Sequence, residues 1–107
     1  MGINTLEFIK SCIGRRKIFW TYHVNMRLKN RSIPREAILN SVDTYDIIEK
    51  YPDDKYLPSY LLYAQYKGEA IHIQIATDLE NDFITIVTTY HPSLEKWEKD
   101  FKTRRNL

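Results

Sequence analysis

One short run near the middle of the chain constrains the fold more than any other feature. Between residues 71 and 75, isoleucine alternates strictly with His72 and Gln74. Successive side chains of a β-strand point to opposite faces of its sheet, so one face here carries three isoleucines and the other a histidine and an amide. The pattern predicts a strand with one covered face and one partly open face.

A period of two, interrupted by turn residues, predicts three further strands in the second half of the chain. The pair Lys67-Gly68 is typical of a tight hairpin, and the connection lengths favour antiparallel neighbours. The last run is rich in β-branched residues, which indicates a central strand. The four predicted strands cover residues 45–51, 59–67, 70–78 and 82–91.

Three helices are predicted ahead of these strands. The first covers residues 3–13 and is expected to end at Gly14. The second covers residues 21–31, with Thr21 as its N-cap. Pro34 fits the first turn of the third helix. The residues of this helix that are expected to face inward are Ala37, Ile38 and Val42.

The order of elements predicts an α+β fold in which N-terminal helices pack on a four-stranded, mainly antiparallel sheet. A length of 107 residues fits a single domain over residues 1–107. Cys12 is the only cysteine, which excludes an internal disulfide and a zinc site built on paired cysteines. No apolar run has the length of a membrane span or a secretory signal, so we expect a cytoplasmic protein without membrane contact.

Basic residues are concentrated in two segments, although the net charge is only +2. Residues 10–35 contain no Asp or Glu among their lysines and arginines, and a second cluster lies between residues 99 and 105. A joint basic surface would attract a polyanion or an acidic protein. A solvated helix face explains the first segment equally well.

The second predicted helix carries a polar row at four-residue intervals, formed by His23, Arg27 and Arg31. At 100° per residue this row overlaps the edge of the apolar stripe, so it is expected at the rim of the core. With His72 and Gln74 on the open face of the sheet, the row predicts a groove in which a nucleic-acid backbone can lie.

Several motifs occur in a recognisable order after Thr21. They are Tyr22-His23 followed by Arg27 and Arg31-Ser32-Ile33, the run 47–54, Leu57-Pro58-Ser59, Ile71-His72, and Tyr90 with Pro92, Trp97, Phe101 and Arg104-Arg105. In this order they resemble the domain-of-unknown-function 4258 family. That family is similar to the RelE/ParE-like toxins, including the BrnT and MqsR branches.

The resemblance implies the toxin of a type II toxin–antitoxin system, a metal-independent endoribonuclease that inhibits translation by cleaving RNA. The implied partners are RNA and a cognate antitoxin, such as a zinc-ribbon or helix-turn-helix protein. It also marks Tyr90, because RelE-like toxins often carry a tyrosine near the end of their last strand. His91 is expected to face away from Tyr90.

Metal-free cleavage of RNA needs a base for the 2′-hydroxyl, cations for the phosphorane and an acid for the leaving 5′-oxygen. His23 and His72 are the candidates for acid and base by the ordinary pKa of imidazole, and Tyr90 is the third catalytic candidate. Each is equally explained as a structural residue. The candidate substrate-binding residues are Arg27, Arg31, Gln74, Lys96 and Arg104.

Other chemistries lack their usual motifs. The sequence has no glycine-rich phosphate loop, no nucleophile elbow and no histidine pair at metal-binding helical spacing, so neither a cofactor nor a metal is expected. The alternative to an enzyme is a basic interaction module that binds an acidic protein partner or nucleic acid without chemistry.

Overall fold

A computed structural model describes residues 4–106, which form three α-helices, one short 3-10 helix and one sheet. The helices are α1 (Thr5–Arg15), α2 (Tyr22–Asn30) and α3 (Arg35–Asn40), and the 3-10 helix is Val42–Thr44. The strands are β1 (Ile18–Trp20), β2 (Asp46–Tyr51), β3 (Ser59–Tyr66), β4 (Glu69–Asp78) and β5 (Phe83–Tyr90).

The sheet has five strands in the order β1-β5-β4-β3-β2. Strand β1 is parallel to β5, and the other neighbours are antiparallel. The prediction of an α+β fold is confirmed, but the prediction of four strands is wrong because β1 is an additional edge strand that makes the sheet mixed. The four predicted strands are present, each bound differing by at most one residue, and β5 lies in the interior of the sheet as predicted.

The isoleucines of β4 lie under the helices. Ile71, Ile73 and Ile75 are at most 2% exposed and belong to the hydrophobic core with the apolar faces of all three helices. The core residues contributed by the helices are Phe8, Ile9, Cys12, Ile13, Val24, Leu28, Ala37 and Ile38. The alternation in the sequence therefore assigns the covered face of β4 correctly, and His72 lies on the opposite face.

Capping residues determine where the helices begin and end, and the end of α1 differs from the predicted bound. The Oδ1 atom of Asn4 accepts the backbone N–H of Glu7 at 3.1 Å and starts α1, and the predicted start at Ile3 lies outside the described residues. The helix continues through Gly14, contrary to prediction, and Arg16 ends it in the left-handed region with φ 61°. Thr21 caps α2 as predicted, with its Oγ1 accepting the backbone N–H of Val24 at 3.0 Å.

The third helix begins one residue later than expected, because Pro34 occupies the N-cap and Arg35 is the first helical residue. Ala37 and Ile38 face the core as predicted. Val42 does not belong to α3, since the helix ends at Asn40 and Val42 starts the 3-10 helix.

The segment of residues 92–106, called the C-terminal segment below, covers part of the second face of the sheet. A single antiparallel bridge pairs Trp97 with Arg104, and the Trp97 side chain is only 2% exposed. Lys102 pairs with Asp46 of β2 at 3.2 Å and lies over the ring of Tyr63 of β3. The face that the sequence predicts to be partly open is thus closed over His72, which is 0% exposed.

Candidate anion-binding cleft

A cleft of about 380 Å³ lies where β5 ends and the C-terminal segment begins. Four of the residues proposed from the sequence line this cleft together: Arg31, Tyr90, Lys96 and Arg104. The remaining lining residues are His91, Ser93 and Trp97. Residues that lie far apart in the sequence therefore converge on one polar site.

Arg31 is fixed at the inner side of this cleft. It is the C-cap of α2 and is half-buried, and its Nη1 donates to the carbonyl oxygen of Thr89 at 2.8 Å. Among the described residues, no carboxylate lies within 4 Å of Arg31 or of the exposed Lys96. The cleft thus presents two positive charges without an ionic partner in this part of the chain, which favours an anionic ligand.

Arg104 differs because its charge is compensated. Its Nε and Nη2 donate to the two carboxylate oxygens of Glu49 at 2.5 and 3.1 Å, and this guanidinium holds the pKa of Glu49 below its ordinary value. The guanidinium also lies 4.6 Å from the ring centroid of Trp97. Arg104 therefore forms a wall of the cleft and keeps Trp97 in place, while Arg31 and Lys96 carry the uncompensated charge.

His72 lies behind the cleft and has both ring nitrogens engaged. Its Nε2 is 2.6 Å from the carbonyl oxygen of Phe101, and its Nδ1 is 3.2 Å from the hydroxyl of Tyr90. A carbonyl can only accept, so we assign the ring hydrogen to Nε2, which leaves Nδ1 to accept the Tyr90 O–H. Burial lowers the pKa of His72 against the opposing effect of the Phe101 carbonyl, so the ring is neutral at pH 7.

The Tyr90 phenol is positioned by this histidine. The two rings meet edge to face at a centroid distance of 5.3 Å, and Trp97 packs against the same imidazole at 4.5 Å. Burial raises the pKa of Tyr90, so the phenol is protonated at neutral pH. The structure makes His72 a positioning residue for Tyr90, because the imidazole is buried and Tyr90 is the group that lines the cleft.

The other candidates lie outside the cleft. His23 is exposed on α2, and its Nε2 accepts the Nε–H of Arg27 at 2.6 Å. Gln74 donates from Nε2 to Oγ of Ser59 at 3.2 Å on the sheet. Two helical turns separate residue 23 from residue 31, about 12 Å along the axis, so only the C-terminal end of the predicted row reaches the cleft.

His91 is a lining residue that the sequence pattern assigned to the opposite side from Tyr90. Strand β5 ends at Tyr90, so the alternation on which that expectation depended does not extend to His91. Pro92 is the signal in the sequence that could have indicated this break, because proline ends regular strand pairing. Within residues 4–106, no group of three or more His, Cys, Asp or Glu side chains could hold a metal ion.

Residues 20–91 match the model of a family described as a domain of unknown function (DUF4258), which is more than half of the chain. The chain belongs to this family. No curated protein and no solved structure matches the chain. The DUF4258 segment contains Arg31 and Tyr90, whereas Lys96, Trp97 and Arg104 follow it in the C-terminal segment. No helix in the described part of this DUF4258 protein is long and apolar enough to cross a membrane.

The buried neutral histidine predicts a pH dependence of stability. Burial lowers the pKa of His72 from 6.5, its ordinary value, so at mildly acidic pH the unfolded chain binds more protons than the folded chain. The free energy of unfolding is therefore expected to fall as the pH falls from about 7.5 to about 5.5. Urea unfolding at several pH values should show this slope in the wild type and a smaller one in His72→Phe. Equal slopes in the wild type and in His72→Phe would contradict the assignment.

Proposed function

We propose that this protein is the toxin of a type II toxin–antitoxin system and cleaves RNA without a metal ion. The observation that carries the proposal is the convergence of Arg31, Lys96 and Tyr90 on one cleft. Two cations without a carboxylate partner among the described residues suit a phosphodiester, and a protonated phenol beside them can transfer a proton. The resemblance of the sequence motifs to RelE/ParE-like toxins supports the same reaction.

The proposed step is an attack of the ribose 2′-oxygen on the adjacent phosphorus. The P–O5′ bond breaks, and the products are a 2′,3′-cyclic phosphate and a 5′-hydroxyl. Arg31 and Lys96 stabilise the additional negative charge on the phosphorane. The Tyr90 O–H turns from Nδ1 of His72 to the leaving 5′-oxygen and gives it the proton, while His91, the histidine among the lining residues, takes the proton of the 2′-hydroxyl.

A basic interaction module without enzymatic activity is the second candidate. Two observations favour it: His72 has both nitrogens engaged within the protein, and His23 lies outside the cleft. Such a protein would bind RNA or an acidic partner in the cleft and leave it intact. Incubation of labelled RNA with the purified protein in excess chelator separates the two, because the proposed toxin produces cyclic phosphate ends and the binding module produces none.

Removal of either uncompensated cation should weaken RNA binding. We expect Arg31→Ala and Lys96→Ala each to lower the affinity for single-stranded RNA by roughly 1 kcal/mol or more at low salt. Each should reduce the slope of log K against log salt concentration by about 0.7, the change expected when one phosphate contact is lost on a single strand. Fluorescence anisotropy over a salt series measures both quantities. The exposed Lys55, on the loop between β2 and β3, offers the control Lys55→Ala, which should keep the wild-type slope. If Arg31→Ala and Lys96→Ala also keep the wild-type slope, the assignment is contradicted.

The role as a toxin is tested in cells. Induced expression of the wild type should arrest growth, and coexpression of a cognate antitoxin encoded by an adjacent gene should restore it. Expression of Tyr90→Phe at the same level should permit growth, because the variant retains the cleft but lacks the phenolic proton. Equal growth with and without induction of the wild type would contradict the proposed role as a toxin.

A further inference from the structure

A second cavity, of about 260 Å³, adjoins the cleft between the start of α3 and the hairpin that joins β3 to β4. Its inner wall is apolar, since Ile33, Ala37 and Ile71 line it and are each 2% exposed. Tyr66 adds an aromatic side chain to the lining, and Glu69 lies at the rim of the cavity. An apolar pocket with a few polar groups at its rim is typical of sites for flat organic ligands.

This cavity is connected to the anion-binding cleft. His91 lines both of them. A shallower cavity between them is lined by Arg31 and His91, which belong to the cleft, and by Ser32 and Glu69, which belong to the second cavity. A ligand that places a phosphate between Arg31 and Lys96 can therefore place an adjacent group against Tyr66 and Ile71 along one continuous surface.

The polar rim is held by a tight turn. Lys67 and Gly68 have φ of 51° and 81°, the positive values that a two-residue hairpin requires at both central positions. The turn brings Lys67 and Glu69 to the same end of the cavity, with Lys67 Nζ lying 5.3 Å from the ring centroid of Tyr66. Among the described residues, no cationic group lies within 4 Å of the Glu69 carboxylate. Glu69 thus offers two acceptor oxygens to a ligand, and Lys67 offers a donor beside them.

We propose that this cavity is a nucleobase subsite selective for guanine, an inference that rests on RNA being the ligand of the cleft. Guanine presents two neighbouring donors, N1–H and the 2-amino group, to the Glu69 carboxylate and its O6 acceptor to Lys67. Adenine presents the unprotonated N1 lone pair at the position of the first donor, which repels a carboxylate. Cytosine and uracil each offer a single donor position on this edge. The apolar wall and Tyr66 contact the faces of the base, and these contacts do not discriminate between one base and another.

Binding of nucleoside 3′-monophosphates tests this subsite without any requirement for cleavage. In calorimetric titrations we expect guanosine 3′-monophosphate to bind about tenfold more tightly than adenosine 3′-monophosphate, as a paired hydrogen bond to a charged group allows. Inosine 3′-monophosphate, which lacks the 2-amino group, should fall between them. Glu69→Gln should remove the preference for guanine, whereas inorganic phosphate should bind at least as tightly as it does to the wild type, because the variant loses a negative charge near the cleft. The matched variant Glu80→Gln, in the exposed turn before β5, should behave as the wild type.

Equal affinity for the guanine and adenine nucleotides in the wild type would overturn the subsite, and so would a guanine preference that survives in Glu69→Gln. The outcome for the subsite is separable from the outcome for the proposed reaction. Selective binding of guanosine 3′-monophosphate by a protein that leaves RNA intact would support the guanine subsite and contradict the proposed nuclease activity. Cleavage of RNA without preference for guanine beside the scissile phosphate would support the proposed nuclease activity and contradict the guanine subsite.

Discussion

Tyr90→Phe should lower the single-turnover rate of RNA cleavage by about 10²–10⁴-fold, the range typical of a general acid. The substitution removes one oxygen and keeps the ring that packs against His72. RNA affinity should change little, because the charges of Arg31 and Lys96 remain. A gel-based time course in excess chelator, with enzyme in excess over RNA, measures the rate independently of binding.

Tyr56→Phe is the matched control for this substitution, because Tyr56 is 85% exposed on the loop between β2 and β3. It should cleave RNA at the wild-type rate. A wild-type rate in Tyr90→Phe would mean that the phenol transfers no proton in the reaction. Loss of RNA binding in Tyr90→Phe would mean that the hydroxyl acts through the shape of the cleft.

Trp97→Ala should have the largest effect on stability. Trp97 is 2% exposed, packs against His72 on its inner side and contacts the guanidinium of Arg104 on its outer side. Truncation of a buried aromatic side chain costs about 3–5 kcal/mol, a large part of the ~5–15 kcal/mol by which a domain is stable. Urea denaturation monitored by circular dichroism should show a correspondingly lower midpoint.

The same segment provides a control for this experiment. Leu94 is 49% exposed, so Leu94→Ala should change the free energy of unfolding by less than about 0.5 kcal/mol. Trp97→Phe should lie between the two, because phenylalanine fills part of the same space. A Trp97→Ala protein that unfolds at the same urea concentration as the wild type would show that the C-terminal segment contributes little to the folded state.

The sequence predicts the strands of this fold better than the edges of its sheet. The alternation around His72 identifies both faces of β4, because the period of two is a local property. Strand β1 has three residues, too few to show a period, and it is a strand only because it pairs with β5. The residue type of Gly14 predicts a helix end there, whereas the chain enters the left-handed region two residues later, at Arg16.

The composition of the cleft was predictable in part. The chemistry of Arg31, Lys96 and Arg104 and the family resemblance at Tyr90 predict these four residues as site residues, and all four line the cleft. Their convergence was not predictable, because it depends on the return of the C-terminal segment over the sheet, which is fixed by the long-range contact of Trp97 with His72. The same contact explains why a histidine expected on an open face is buried.

The position of the C-terminal segment has a thermodynamic consequence for binding. Lys96 reaches the cleft only while Trp97 and Arg104 are seated on the sheet, so an anion in the cleft binds the seated arrangement and not a detached one. Each such ligand therefore adds RT ln(1 + [L]/Kd) to the free energy that holds the segment in place. By the same linkage, a substitution that loosens the segment raises the apparent Kd to the intrinsic Kd divided by the fraction of molecules in which the segment is seated, without altering any residue that touches the ligand.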